Sequence, residues 1–211
     1  MRPAIIVFAK APVPGRVKTR LAERIGADAA AALHQAFVLD TLDRLSRLAG
    51  VADLELHTDV PMDAWGRPEV AQRMQTSGDL GIRMYRALAT ALSEGRPRVC
   101  IVGSDAPALP YGHIEELLGM DADVALGPCE DGGYYAIACR RVDERMFEGV
   151  EWSTERALAG TEAAARRCGL SVARGRPWYD VDDWAGFERL LRSWLPPHTE
   201  AWWRTYRRLV E

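Results

Sequence analysis

The order of apolar and polar positions divides the chain into short apolar runs and longer amphipathic stretches. Residues 4–9 and 99–102 are continuous apolar runs, which is typical of strands buried on both faces. Weaker strand patterns are present at 51–58, 124–126, 134–139 and 170–173. The polar stretch 59–79 is expected to be a surface excursion. These runs predict a sheet whose central strands are fully covered.

Amphipathic stretches lie between the predicted strands. Leu33, Phe37 and Leu42 recur at helical spacing after Asp28, which we expect to cap their helix, and Gly50 ends it. Further helices are predicted at 80–94, 114–118, about 153–168, and on either side of residues 196–197. The alternation favours a three-layer α/β/α sandwich with a mainly parallel, Rossmann-like sheet. We expect one domain over residues 1–195, with the Trp-rich helix 196–211 packed on it or on a partner chain.

Composition and charge narrow the class of protein. The chain has 211 residues, of which 48% are hydrophobic and 27% charged, and these values are typical of a globular domain. A formal charge of -3 gives no overall field for nucleic acid or an anionic membrane, so any anion site must be local. The four cysteines are widely spaced and favour buried core positions. With no membrane span or signal peptide recognisable, a cytoplasmic location is expected.

A basic loop follows the first predicted strand. It places four cations around Gly15, namely Lys10, Arg16, Lys18 and Arg20. Such a loop could neutralise a polyphosphate, and its position after a core strand favours this hypothesis over a merely solvated loop. The spacing of a P-loop is absent, so that kind of site is excluded.

Aspartates that could bind a metal ion occur in two later parts of the chain. Asp105 comes directly after the apolar run 99–102, where a carboxylate needs solvent, hydrogen bonds or a cation. A turn or capping role is an equal alternative for it. Near the end of the domain, Asp180, Asp182 and Asp183 lie within four residues. Asp183 is predicted to cap the next helix, and Asp182 is the candidate second metal ligand beside Asp105.

The glycine-rich segment 127–135 allows two interpretations. Gly132 and Gly133 indicate that backbone passes close to a ligand or to another chain segment, while Asp131 could orient an acceptor. An Asp-Gly turn between two strands explains the same residues. The four histidines have no ligand spacing and are expected in surface or capping positions.

Taken together, the ordered motifs resemble the GT-A-fold, nucleotide-diphospho-sugar transferase superfamily. More narrowly, the chain resembles the bacterial glycosyltransferase-like family of the DUF2064 type, related to phospholactate guanylyltransferase. The matching segments are residues 8–21, 78–84, 103–107, 127–135, 152–154 and 180–183. Gly103 stands where many glycosyltransferases of this fold carry the first aspartate of an Asp-x-Asp pair, and the lone Asp105 is more like the guanylyltransferases.

The resemblance implies roles for the basic loop and the carboxylates. Phosphates of a nucleotide would lie near Lys10, Gly15, Arg16, Lys18 and Arg20. Asp105 and Asp182 would share a divalent ion, Mg²⁺ or Mn²⁺. Among these residues, Lys18 and Asp105 are the expected catalytic ones.

The resemblance also assigns the two glycine-containing loops. Gly78, Asp79 and Gly81 would help to enclose the base or ribose. Asp131, Gly132 and Gly133 would face the acceptor, with Asp131 as a catalytic candidate.

Three functions are compatible with these residues. The leading hypothesis is metal-dependent transfer of a nucleotidyl group from a nucleoside triphosphate to a small phosphorylated acceptor. The alternatives are glycosyl transfer from a nucleotide-sugar and a catalytically silent nucleotide-binding protein. The expected partners are the nucleotide and a small-molecule acceptor, without nucleic acid or membrane, and a homodimer is left open.

Overall fold

The strands and helices form an α/β/α sandwich in the computed structural model, which describes residues 1–60 and 65–209. The strands are β1 (Ala4–Ala9), β2 (Asp53–Thr58), β3 (Ala71–Met74), β4 (Val99–Gly103), β5 (Val124–Pro128), β6 (Tyr134–Cys139) and β7 (Val172–Arg174). The helices are α1 (Thr19–Ile25), α2 (Ala27–Leu45), α3 (Leu80–Ser93), α4 (Tyr111–Gly119), α5 (Ala157–Arg167), α6 (Trp184–Ser193) and α7 (Pro197–Tyr206). The predicted fold class is confirmed.

The sheet places β1 and β4 at its centre. Within the described residues its strand order is β3-β2-β1-β4-β6-β5-β7. β6 is antiparallel to both of its neighbours, and the other pairs are parallel. The carboxyl ends of β1, β4 and β5 therefore meet at one edge, where ligands bind in open α/β sheets.

Alternate residues of β1 enter opposite halves of the core. Ile5 and Val7 pack towards α2 and α4, whereas Ala4 and Ile6 pack towards α3 and α5. Both sets are at most 1% exposed. This burial on two faces explains why β1 is apolar at every position rather than at every second one.

The C-terminal helix packs on α2. Trp202 is 5% exposed, and its indole N–H donates to the Ala29 carbonyl at 2.9 Å. The carboxylate of Asp40 accepts bonds from the backbone N–H groups of His198 and Thr199, and from the Thr199 hydroxyl. Asp40 thus satisfies free N–H groups at the start of α7 from a distant helix.

Two elements were not predicted. α1 lies in part of the segment that we interpreted as the basic loop, and only Leu21 and Ile25 give it a buried face. β3 lies in the expected surface excursion, and all four of its residues are exposed. An edge strand held by backbone bonds to β2 has no alternating pattern to detect.

Some predicted helix starts were also wrong. Gly26 rather than Asp28 precedes the first turn of α2, and Asp28 lies inside that turn. α5 begins at Ala157, after Arg156, and Ser153 has a left-handed backbone with φ of 62°. By contrast Asp183 caps α6 as expected, since its side chain accepts from the Gly186 N–H at 2.9 Å. None of the helices in the described part of the chain has the length and apolar character needed to cross a bilayer.

Candidate active site at the carboxyl edge of the sheet

A cleft of about 550 Å³ opens at the carboxyl ends of β1 and β4. Six of the predicted site residues line it, namely Lys10, Arg16, Lys18, Arg20, Asp105 and Asp182. They come from the basic loop, the end of β4 and the segment before α6. The fold therefore gathers residues that are far apart in the sequence around one cavity.

The basic loop is fixed to the neighbouring strand by Asp59. The Ala11 N–H donates to Asp59 Oδ1 at 2.7 Å, and the Arg16 guanidinium lies 3.8 Å from Asp59 Oδ2. Gly15 has φ of 78° with open space where a Cβ would stand. A glycine is therefore favoured at position 15 by the backbone conformation and not by a close contact within the chain.

Lys18 joins the two predicted metal ligands. Its Nζ lies 2.6 Å from Asp105 Oδ1 and 3.0 Å from Asp182 Oδ1, and it donates to the Val181 carbonyl at 2.7 Å. These three partners match the three donors of an ammonium group. The Lys18 side chain is only 5% exposed, and its backbone adopts a left-handed conformation with φ of 46°. A non-glycine residue held there at a cleft indicates that its position is imposed by surrounding contacts.

Lys18 and the two aspartates stabilise one another in their charged forms. Burial opposes the charged form of Lys18, but attraction to Asp105 and Asp182 outweighs it and raises the Lys18 pKa above its ordinary value. Burial would likewise raise the pKa of Asp105, yet the Lys18 ammonium lowers it. At neutral pH the lysine is therefore protonated and Asp105 is ionised.

The two carboxylates remain accessible on the cleft side. Both side chains are 48% exposed, although each has one oxygen engaged by Lys18. The Val181 N–H donates to the Asp105 carbonyl at 2.8 Å, which fixes the two segments together. Two exposed carboxylates converging on one point fit the ligand preference of Mg²⁺ and Mn²⁺. In the structure, the cation between them is the Lys18 ammonium.

The segment at the start of α3 contributes Leu80 to the cleft lining, whereas its polar groups bond within the segment. Asp79 accepts from the Ile82 N–H at 2.9 Å and so caps α3, while the Gly78 carbonyl accepts from Arg83. Gly81 packs against Trp152, since an added Cβ would lie 2.8 Å from that ring. Within the described chain, the lining of the cleft includes Arg83 from this region but not Gly78, Asp79 or Gly81.

The second glycine loop packs against another chain segment. A Cβ on Gly132 would lie 2.1 Å from the Glu155 carbonyl oxygen, and the Gly132 carbonyl accepts from the Leu158 N–H. Asp131 is exposed and accepts from the Gly133 N–H at 2.9 Å. Both interpretations of these residues are confirmed. Asp131 and Gly132 lie in a turn that joins the antiparallel strands β5 and β6, where the Cys129 N–H donates to the Gly133 carbonyl at 2.9 Å, and Gly132 also packs against the segment at Glu155. As far as the chain is described, Asp131, Gly132 and Gly133 lie outside the cleft lining.

Sequence reasoning missed His34. It is 4% exposed, lines the cleft, and its Nε2 lies 2.9 Å from the Lys10 carbonyl, so the expected surface position was wrong. Burial is the main cause of its lowered pKa. His57 and His113 are also buried, at 7% exposure each. His34 follows Leu33 and precedes Phe37 on the buried side of α2, and that helical spacing was the available signal.

Three further cleft residues were not singled out. Arg83 adds a cation, and its guanidinium contacts Gln75 Oε1 at 3.3 Å. Gln75 also donates to the carbonyls of Ala9 and His57. Ser153 faces the cleft from the segment before α5. Arg83 and Ser153 lie in two of the matching segments, 78–84 and 152–154, but no binding role was assigned to either residue, and Gln75 lies outside all of these segments. Their tertiary placement reveals them as cleft residues.

A family comparison assigns the chain. Residues 46–154 match the family described as an uncharacterized protein conserved in bacteria (DUF2064). The chain belongs to this family. A search among curated proteins found no match.

Solved structures similar to this chain are transferases of one fold. A protein from Desulfovibrio desulfuricans G20, provisionally assigned as a nucleotide-diphospho-sugar transferase, is 36% identical, with a TM-score of 0.88 over 100% of this chain and 97% of its own. A CMP:2-keto-3-deoxy-manno-octonic acid synthetase complexed with CTP is 15% identical, with a TM-score of 0.59 over 90% and 97%. The inositol-1-phosphate CTP transferase from T. maritima is 13% identical, with a TM-score of 0.51 over 88% and 91%. The chain thus has the fold of the nucleotide-diphospho-sugar transferases and is a transferase of this group.

Proposed function

We propose that this member of the family is a nucleotidyltransferase that moves a nucleotidyl group from a nucleoside triphosphate to a small phosphorylated acceptor. The observation that carries the proposal is the cleft itself. Its lining combines the exposed cations of the basic loop with two carboxylates, Asp105 and Asp182, that Lys18 contacts. A volume of about 550 Å³ is within the usual range of small-molecule sites.

The cations would bind the triphosphate. Lys10, Arg16 and Arg20 are exposed and line the cleft, and Arg83 contributes a guanidinium from α3. Arginine binds phosphate oxygens in pairs, whereas lysine acts as a point charge. The negative charge of the triphosphate thus meets a surface that is already positive, and desolvation strengthens these contacts.

The transfer would be an in-line displacement at the α-phosphorus. An oxygen of the acceptor phosphate forms a bond to that phosphorus, the bond to the bridging oxygen breaks, and pyrophosphate leaves with the electron pair. Arg16 and Arg20 offset the charge on the departing phosphates. Such a reaction depends on positioning and electrostatics, and it needs no nucleophile from the protein.

Lys18 has a positioning role in this scheme. Burial alone would lower the pKa of Lys18, but attraction to Asp105 and Asp182 outweighs burial and raises it. The proton therefore stays on Nζ. The ammonium keeps the two carboxylates about one cation's width apart. The exposed oxygens of Asp105 and Asp182 would hold Mg²⁺ or Mn²⁺, which supplies Lewis acidity towards the phosphates when bound.

Glycosyl transfer from a nucleotide-sugar is the second candidate. It is favoured by the provisional assignment of the D. desulfuricans protein as a nucleotide-diphospho-sugar transferase. The same cleft would hold the nucleoside diphosphate, and the sugar would leave it for an acceptor. The two reactions differ in the product that the nucleotide yields.

The test measures binding first and products second. Purified protein is titrated by calorimetry with each nucleoside triphosphate and with nucleotide-sugars, in Mg²⁺, in Mn²⁺ and in chelator. Candidate phosphorylated acceptors are then added, and pyrophosphate and nucleoside diphosphate are quantified. Pyrophosphate release supports nucleotidyl transfer, and diphosphate release supports glycosyl transfer. Nucleotide binding without turnover of any acceptor supports the silent alternative.

A matched pair of variants tests the carboxylates. Asp105→Asn should abolish the dependence of nucleotide binding on the divalent ion. Asp121→Asn makes the same chemical change before β5, at the opposite edge of the sheet, where the Asp121 side chain is 94% exposed. It should bind nucleotide like the unmodified protein. Equal metal dependence in both variants would exclude Asp105 as a metal ligand.

A further inference from the structure

A second group of potential metal ligands lies next to the proposed active site. Cys129, Asp131 and Asp180 each present one ligand atom, and the three atoms lie within 4.8 Å of one another. Cys129 directly follows β5, and Asp180 lies in the segment before α6. These residues are separate from the Asp105 and Asp182 pair, whose shared cation is Lys18.

Backbone hydrogen bonds fix the relative positions of the three residues. The Trp178 N–H donates to the Pro128 carbonyl at 3.0 Å, and the Glu130 N–H donates to the Trp178 carbonyl at 3.0 Å. Cys129 and Trp178 form a parallel bridge, and the Cys129 N–H donates to Gly133. The group is thus built on two short segments that extend the sheet, a rigid support for a metal site.

The thiol of Cys129 is directed into the two carboxylates. Cys129 is 9% exposed, and within the described part of the chain its sulfur has no hydrogen-bond partner. Cys129 also packs in the hydrophobic core on the α2 side of the sheet, and its sulfur lies within 4.8 Å of a carboxylate oxygen of Asp131 and of Asp180. A nine-tenths buried thiol at that distance from two carboxylates is placed to share a metal ion with them.

The charges of Asp131 and Asp180 are not offset by a side chain. Among the described residues no lysine, arginine or histidine forms an ion pair with either of them, whereas Lys18 serves Asp105 and Asp182. Two carboxylates that face each other without a side-chain cation favour the binding of a metal ion between them.

We propose that Cys129, Asp131 and Asp180 bind a divalent cation of the zinc class, separate from the ion of the nucleotide site. One sulfur and two carboxylate oxygens suit Zn²⁺ and its analogue Co²⁺, whereas Mg²⁺ and Ca²⁺ prefer oxygen alone. On binding, the Cys129 S–H bond breaks, its proton passes to solvent, and the sulfur electron pair forms the bond to the metal. Three protein ligands leave one position of a tetrahedral site for water or substrate.

Cobalt provides a direct test with the full-length protein. Reduced, chelator-treated protein is titrated with Co²⁺ and followed by near-ultraviolet absorption, because a thiolate ligand gives bound Co²⁺ a charge-transfer band that oxygen ligands do not give. One equivalent of Co²⁺ should produce the band, and Zn²⁺ should remove it by displacement. Absence of the band at saturating Co²⁺ would refute the proposal.

Variants locate the site and separate it from the proposed active site. Cys129→Ser should abolish the band, and Asp180→Asn should weaken Co²⁺ binding by more than about tenfold, the least that loss of an outer-shell partner costs. Cys168→Ser, at a partly exposed cysteine outside the group, should keep the band. Asp105→Asn should also keep it, so the outcome does not depend on the nucleotide site. A band that persists in Cys129→Ser would overturn the assignment, and Asp180→Asn decides the matter if Cys129→Ser does not fold.

Discussion

Replacing Lys18 by methionine removes the cation between Asp105 and Asp182 while keeping a side chain of similar length. The Lys18 side chain is 5% exposed, and the side chains of Asp105 and Asp182 are each 48% exposed. In Lys18→Met both carboxylates lose an ion pair, and the Val181 carbonyl loses a donor. The variant therefore leaves two like charges facing each other at the wall of the cleft.

The loss in the free energy of unfolding caused by Lys18→Met should lie between two limits. Breaking a fully buried ion pair costs about 3–5 kcal/mol, and breaking an exposed one costs about 0–1 kcal/mol. Because the lysine is buried and the carboxylates are half-exposed, we expect a loss of about 2 kcal/mol in the free energy of unfolding at neutral pH.

The same reasoning predicts how the cost depends on pH. The Lys18 ammonium lowers the pKa of Asp105 in the folded protein, against the opposing effect of burial. A carboxylate with a lowered folded pKa contributes stability above its unfolded pKa of about 4 and loses it as pH falls through the folded value. The Lys18 contribution, with a raised pKa, persists up to its unfolded pKa of about 10 and is lost as pH rises further. The difference between the two proteins should therefore be constant from about pH 5 to 9 and shrink in acid.

Urea denaturation measures this difference. The protein, Lys18→Met and Lys10→Met are compared at pH 7 and at about pH 3. Lys10 is the other lysine of the sequence and is exposed, so Lys10→Met should cost less than about 0.5 kcal/mol. Equal costs for the two variants at pH 7, or a cost for Lys18→Met that grows in acid, would refute the ion-pair argument.

Lys18→Met also tests the carboxylates as a metal site. The ammonium repels a divalent ion bound at the exposed oxygens of Asp105 and Asp182. Its removal should tighten Mg²⁺ binding by about tenfold or more, because one unit charge about 4 Å away is worth more than 1.4 kcal/mol at the dielectric of a protein surface. Calorimetric titration with Mg²⁺ gives the answer, and adding Asp105→Asn should reverse the gain. An unchanged or weaker Mg²⁺ affinity would contradict a metal ion bound by these two carboxylates next to the Lys18 ammonium.

Three further changes probe the fold around the site. Asp40→Ala should lower the free energy of unfolding by about 2 kcal/mol, because three donors at the start of α7 lose a buried acceptor, as urea denaturation would reveal. Gly132→Ala should cost more than about 2 kcal/mol, since the new methyl group would clash with the Glu155 carbonyl, whereas Gly15→Ala meets open space and should cost about 1 kcal/mol from its backbone conformation alone. Equal costs for the two glycine variants would rule out the contact with Glu155. Trp202→Ala should cost about 3–5 kcal/mol in the same assay, and Trp194→Ala, at a side chain 55% exposed, less than about 1 kcal/mol.

The central elements and the basic loop follow from local patterns. The apolar run of β1 and the helical spacing of Leu33, Phe37 and Leu42 in α2 are consequences of burial, and burial selects side chains one position at a time. Asp183 was recognised as a cap because its bond to Gly186 spans only three residues. β3 escaped detection, since an exposed edge strand is specified by its partner strand and not by its own side chains.

The sequence by itself determined the fold class, the order of the motifs and the side chains that carry charge. Tertiary structure alone decided that Lys18 meets Asp105 and Asp182, since the Lys18 bond to Asp182 joins residues 164 positions apart. It also decided that His34 is buried in the cleft, that Gly132 packs on Glu155, and that Cys129 faces Asp131 and Asp180. The physical reason is that local patterns report how each residue is buried, whereas contacts between distant residues depend on strand order and register. The sheet brings the ends of β1, β4 and β5 to one edge, and the chemistry of the site is assembled there.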